Sequence, residues 1–187
     1  MNETLKTIEE RFSCRSYTGE LLDKETIEAI GRAGLQAPST MNLQHWKIIA
    51  IQNKELIDEM DEAALEYIKT TNDDMYQRIL GRGGKIFYNS ACLFLILTPE
   101  DAHSNASLDV GIVSQNITLA AQSLGLGSVI VYMATFPFMH EKGEYFREKV
   151  GWEEGYKFGM GVLVGQAKDT KEPHEIDLEK FSIVNFS

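Results

Sequence analysis

"LDVGIVSQNITLAAQSLGLG", residues 108–127, runs straight into "SVIVY", residues 128–132. The first stretch is apolar or small almost all the way round a helical projection, as a helix buried on most sides must be. On this reading Gly125 and Gly127 end the helix, and the β-branched run after them is a strand. The surroundings agree, because no Lys or Arg occurs from Ile86 through Glu141. A stretch that long without cations is the heart of the fold. Any anionic ligand must then find its cations near the two ends of the chain.

Working outward, "ACLFLIL" (91–97) reads as a buried strand ending at Pro99, and "GRGG" (81–84) as a helix terminus or turn. Residues 55–69 form a helix whose apolar face is Leu56, Ile57, Met60, Ala63, Ala64, Tyr67 and Ile68. Before it come a strand from Trp46 to Ile51, a helix from Lys24 to Leu35 with Asp23 as N-cap, and a helix from Glu3 to Arg11. Downstream lie a helix around His140 to Val150, a strand around Phe158 to Val164, and a polar tail after Gly165. The strands are few and the helices long, which predicts an α+β sandwich; a doubly wound parallel sheet is the alternative. Neither a repeat nor a linker divides the chain, so residues 1–187 are read as one domain.

Composition narrows the function. The 187 residues carry a net charge of −10, which disfavours non-specific nucleic-acid binding. There is no apolar run near the ~20 residues of a membrane helix, and "MNETLKTIEE" is acidic and polar, so a cytoplasmic protein is expected. Cys14 and Cys92 are too isolated for a disulfide framework or a metal site. The four histidines are scattered, "GRGG" lacks the ending of a phosphate-binding loop, and "GMGVLVG" (159–165) has the wrong spacing for a dinucleotide fingerprint. Nothing points to a side-chain nucleophile or a metal as the carrier of a reaction.

Three segments do carry chemistry. In "RFSCRSY" (11–17), Arg11, Ser13 and Arg15 share a face if the backbone is extended. Their forked donors and hydroxyl suit a phosphate or the polar edge of a heterocycle; the same spacing also fits two solvated surface arginines. In "APSTMNLQHW" (37–46), Pro38 closes the preceding helix, and an extended backbone would put Asn42, Gln44 and Trp46 on one face. Carboxamides match a ring edge of alternating donors and acceptors, or they satisfy the backbone of a local turn. In "SLGLGSVIVYMAT" (123–135), the strand after the glycines could present backbone donors to a ligand, or be a plain helix–turn–strand junction.

Taken in order, these segments resemble the FMN-dependent nitroreductase family. R-x-S-x-R followed by P-S-x-x-N-x-Q is the most specific part, and "FYNSACLFLIL", "DVGIVSQNITLAAQSLGLGS" and "GMGVLVG" follow in sequence. The resemblance implies an α+β fold with a mostly antiparallel central sheet flanked by helices. It also implies a homodimer with FMN at the interface. It assigns Arg11, Ser13 and Arg15 to the flavin phosphate and pyrimidine edge, and Pro38, Ser39, Asn42 and Gln44 to a motif that encloses the cofactor. Ile130, Tyr132 and Met133 would pass the isoalloxazine, with the Met133 N–H near flavin N5. The tail lacks the family's late Lys-x-Arg pair, so Lys168 or Lys171 would stand in at the phosphate. Trp46 belongs to the core. The implied activity is ping-pong hydride transfer from NADH or NADPH, through FMN, to small electron-poor substrates such as nitroaromatics, quinones or flavins. A flavin store, sensor or partner without turnover, and a dehydrogenase or dehalogenase variant, share the same motifs.

Overall fold

The computed structural model describes residues 2–184. Its centre is a four-stranded sheet of β1 (Lys47–Ile51), β2 (Cys92–Pro99), β3 (Gly127–Val131) and β4 (Tyr156–Gly165), in the order β1-β2-β4-β3. Every pairing is antiparallel, which excludes the doubly wound alternative. The continuous apolar run of β2 has a simple cause. Cys92, Phe94 and Ile96 face a core shared with α2 (Lys24–Leu35) and α5 (Ala106–Ser123). Leu93, Leu95 and Leu97 face the opposite core, which includes α3 (Lys54–Thr71), α4 (Asp73–Leu80) and α6 (Gly143–Val150). Helices cover both faces, so neither face of β2 is polar and no alternation marks it.

The helix ends follow their caps. Asp23 Oδ1 accepts the Thr26 N–H at 2.8 Å at the start of α2. The helix α1 is Glu3–Glu10, with Arg11 already extended, and α6 begins at Gly143, later than His140. The C-terminus of α5 uses Gly125, whose φ of +74° favours glycine. Gly127 does not belong to that stop: it is the first residue of β3, and Tyr132 already lies in a 3-10 segment spanning Tyr132–Met139. The helix α4 has no counterpart in the sequence reading. Four of its eight residues are apolar over barely two turns, and the feature that starts it is the Asn72 side chain accepting the Met75 N–H at 3.0 Å.

One buried carboxylate fastens the connection before β2. Asp61 of α3 is 2% exposed; its Oδ1 accepts from the Ile86 N–H at 2.8 Å and the Phe87 N–H at 3.1 Å, and Lys85 Nζ lies 3.5 Å from Oδ2. Asp61→Ala leaves two buried donors unmet and is expected to destabilise the chain by about 2–4 kcal/mol. Desolvation raises the Asp61 pKa above 3.8, against the opposing backbone bonds and Lys85. Between the unfolded value and the raised folded value, the native state holds more protons and loses stability as pH rises. Asp61→Asn keeps the acceptor without that titration. Urea unfolding across this acid range should therefore show the Asn variant gaining on the wild type as pH increases.

Candidate functional site

The segment after α1 is extended, the condition under which its arginines share a face. Cys14 is buried and Phe12 packs against the core, while Arg11, Ser13 and Arg15 alternate to the other side. Ser13 bridges Ser128 in parallel, with the Cys14 N–H donating to the Ser128 carbonyl at 2.9 Å, so the segment extends the sheet beyond β3. This contact needs glycine at 127, because a Cβ there would lie 2.8 Å from Cys14 Sγ and 2.9 Å from the Ala167 Cβ. Farther on, Tyr17 bridges Ala167, and the Lys168 N–H donates to the Ser16 carbonyl at 3.0 Å. The backbone of the late Lys168 thus lies beside the early Arg15. Lys171 borders a cavity of about 480 Å³ with Phe12. Segments that carry cations at the two ends of the chain thus run side by side here.

Past this bridge the outer edge of β3 has no further strand bridge among the described residues. Ile130 is 41% exposed on that edge, Met133 is half-buried, and Tyr132 packs edge-on against Phe158 at 5.7 Å between ring centroids. Tyr132 and Met133 open a helical segment, where backbone N–H groups have no intrahelical acceptor. The Ser128 hydroxyl is buried without a hydrogen-bond partner. The unpaired strand edge and the free N–H groups form a donor-rich strip suited to an elongated anionic ligand such as FMN.

The second motif differs from its sequence reading. Residues 42–46 are not extended: Thr40–Asn42 form a single 3-10 turn, and Met41, Asn42 and Gln44 have φ of 51°, 57° and 48°. Each positive φ costs on the order of 1 kcal/mol, and such a turn persists only where its surroundings hold it. Asn42 and Gln44 nevertheless meet, because Gln44 Nε2 donates to Asn42 Oδ1 at 2.8 Å and the Gln44 N–H donates to Ser39 Oγ at 2.9 Å. Pro38 is exposed after α2, and Trp46 is buried in the core with α2 and α5. The turn hangs from α5 through Asp109, whose Oδ1 accepts the Thr40 N–H at 3.1 Å and the Thr40 hydroxyl at 3.2 Å. Sequence reasoning missed Asp109. Its signal was an acid in the otherwise uncharged "LDVGIVSQNI".

One chain does not bring the two motifs together. Asp109 holds the second motif at the first turn of α5, whereas Ser13 meets β3 just beyond the other end. The helix between them is a ruler of roughly 20 Å. The sheet separates them as well, because Lys47 begins β1 at one edge and Ser128 lies in β3 at the other. Arg11, Ser13 and Arg15 therefore cannot share one ring edge with Asn42 and Gln44 inside a single copy.

Among the described residues no cluster of three or more His, Cys, Asp or Glu side chains could hold a metal ion, and no helix is long and apolar enough to cross a membrane. The nitroreductase family model matches residues 8–166. A nitroreductase of Desulfitobacterium hafniense, whose crystal structure holds FMN, is 41% identical with a TM-score of 0.93 over 99% of this chain and 100% of that one. A protein of Archaeoglobus fulgidus, named provisionally as an NADH dehydrogenase/NAD(P)H nitroreductase, is 30% identical over 95% of this chain and 92% of its own length. An NAD(P)H-dependent FMN reductase of Bacillus subtilis is 29% identical over 69% of this chain, a match spanning only 53% of the longer enzyme.

Gly127 provides a direct test of the first motif's anchorage. Gly127→Ala is expected to lower unfolding stability by about 1–3 kcal/mol, because the new methyl must displace Cys14 or Ala167. In α5, a Cβ at Gly111 meets nothing within 4 Å, so Gly111→Ala should be neutral or stabilise by up to about 1 kcal/mol. Paired urea titrations check both.

Proposed function

The chain belongs to the nitroreductase family, and from that premise we propose that it is an FMN-dependent NAD(P)H oxidoreductase reducing small electron-poor molecules. Nitroaromatics, quinones and free flavins are the substrate class we assign. The observation that carries the reading is the 41% identity, over essentially the whole chain, to a nitroreductase that holds FMN. When bound, FMN would supply the redox chemistry, taking a hydride from NADH or NADPH and delivering it to the second substrate in a ping-pong cycle. The whole chain, residues 1–187, then serves as one FMN-binding domain. A cytoplasmic location accords with that choice of donors.

The roles of individual residues are our assignment. Arg11 and Arg15 offer forked donors to the phosphate and pyrimidine edge, with Ser13 between them and Lys168 or Lys171 adding charge from the tail. The outer edge of β3 at Ile130, with Tyr132 and the Met133 N–H, lies alongside the ring system. Ser39, Asn42 and Gln44, after Pro38, enclose the ring with matched donors and acceptors. Donors gathered in this way stabilise negative charge where the ring gains it. No side chain is assigned as acid, base or nucleophile; the protein orients, shields and balances charge.

The separation of the two motifs supports a homodimer. If both serve one FMN, each site takes Arg11, Ser13 and Arg15 from one copy and the 38–44 turn from the other. The apolar surface supports this pairing. Leu5 and Ile8 of α1 are about half exposed, and Ile176, Leu178, Phe181, Ile183 and Val184 of the tail are 60–80% exposed. Surface of that kind on a single copy is suited to burial against a second.

Three measurements test the proposal. The purified protein should be yellow and should bleach anaerobically with NADH or NADPH; a flavin that neither nucleotide bleaches leaves a binding protein without turnover. Arg15→Ala should weaken FMN binding by about 1.5–3 kcal/mol. Coexpression of Arg15→Ala with Gln44→Ala tests the shared site. Random pairing gives mixed dimers in which about a quarter of all sites regain both wild-type halves. At FMN levels that leave each variant alone nearly empty, reductase activity should recover to match. Activity no greater than the sum of the separate variants would rule out sites built from two copies.

A further inference from the structure

Asp109 carries different partners on its two oxygens. While Oδ1 holds Thr40 by its N–H and hydroxyl, Oδ2 faces His103 Nε2 at 3.4 Å. The carboxylate is 6% exposed and lies in the first turn of α5, where a helix N-terminus favours negative charge. The imidazole has a defined orientation. The Asn105 N–H donates to His103 Nδ1 at 3.1 Å, so the neutral ring carries its proton on Nε2, which is buried, lies close to Asp109 Oδ2 and has no hydrogen-bond partner. His103 also stands edge-on to His45, 5.7 Å between centroids, and borders a cavity of about 430 Å³ shared with Tyr132 and Phe158.

Thr40 opens the turn that contains three positive-φ residues. Within it, Ser39, Asn42 and Gln44 bond only to one another, and among the described residues the hydrogen bonds joining residues 39–44 to another element both run to Asp109. Packing gives little help, since Met41 is 80% exposed and Leu43 also lies open. The constraint that keeps the strained turn in place is therefore polar and concentrated in one carboxylate.

We infer that Asp109 is a positioning residue: through Thr40 it holds the 39–44 turn so that the Asn42 and Gln44 carboxamides are pre-arranged for the flavin. The inference rests on the function proposed above for that turn. His103 makes the requirement specific to a carboxylate. With Asn at 109, an amide oxygen turned toward Thr40 puts its NH2 against the His103 Nε2–H, and the opposite rotamer abandons Thr40. Neither rotamer places an acceptor oxygen beside both neighbours, as the two carboxylate oxygens do.

The test compares Asp109→Ala, Asp109→Asn and the double variant Asp109→Asn/His103→Ala. It measures FMN release from the holoprotein on dilution, and hydrogen exchange at the Gln44 amide, which Asp109 does not touch. Asp109→Ala is expected to release FMN about tenfold faster or more and to speed Gln44 exchange to a similar degree. Asp109→Asn should do the same more weakly, and the double variant should recover, because the donor–donor conflict is gone. A purely structural role for a buried acid gives no such recovery. FMN retention and Gln44 protection both unchanged in Asp109→Ala would overturn the inference, as would a double variant no better than Asp109→Asn. If Gln44 protection falls in Asp109→Ala while Gln44→Ala and Arg15→Ala retain FMN like the wild type, the clamp stands and the functional reading of the turn fails instead.

Discussion

Burial of α5 against the sheet is the constraint on which the other placements depend. The helix gives Val110, Val113, Ile117 and Ala121 to the core shared with Phe94, Ile96, Val162 and Val164. Its buried hydroxyls are satisfied within the helix, Ser114 at the Val110 carbonyl and Thr118 at that of Gln115. Asn116 reaches the Ala33 carbonyl and ties α5 to α2. With its core face committed and a stripe at Leu108, Gly111 and Ile112 left open, the two ends of α5 become fixed posts. One post holds the 39–44 turn through Asp109; at the other the chain turns at Gly125 into β3, which receives the arginine segment.

That arrangement is the reason for proposing a cofactor site shared between two copies. A single copy presents a donor-rich strip along β3 and, at the opposite end of α5, a pair of carboxamides on a strained turn. Each half is well defined and each is incomplete. The exposed apolar surface of α1 and the tail supplies the cohesion that would bring complementary halves together. Symmetry then makes two equivalent sites from one interface.

Much of this was legible in the sequence because it rests on local rules. The boundaries of α2 and its Asp23 cap, the apolar face of α3, and the run of β2 follow from periodicity, capping and length. The extended backbone at Arg11, Ser13 and Arg15 and the core position of Trp46 were also readable. The turn at 39–44 was not. Alternation suggested a shared face for Asn42 and Gln44, and they do meet, but through positive-φ geometry that no local preference of Met41 or Gln44 would select. The partner that holds it, Asp109, is 69 residues away from Thr40. The short helix α4 was lost for a related reason, since its start depends on one capping side chain.

By itself the sequence determined most of the elements, the core and the family, because hydrophobic period, capping and motif spacing act over a few residues. Only the tertiary structure decided the antiparallel order β1-β2-β4-β3 and the meeting of Lys168 with Ser16. It also decided the separation of the two motifs along α5. These depend on which distant surfaces pack together, and a continuous apolar strand such as β2 is equally compatible with parallel or antiparallel neighbours. The turn at Thr40 shows the same division: the chain supplies the carboxamides, and a remote buried carboxylate fixes where they point.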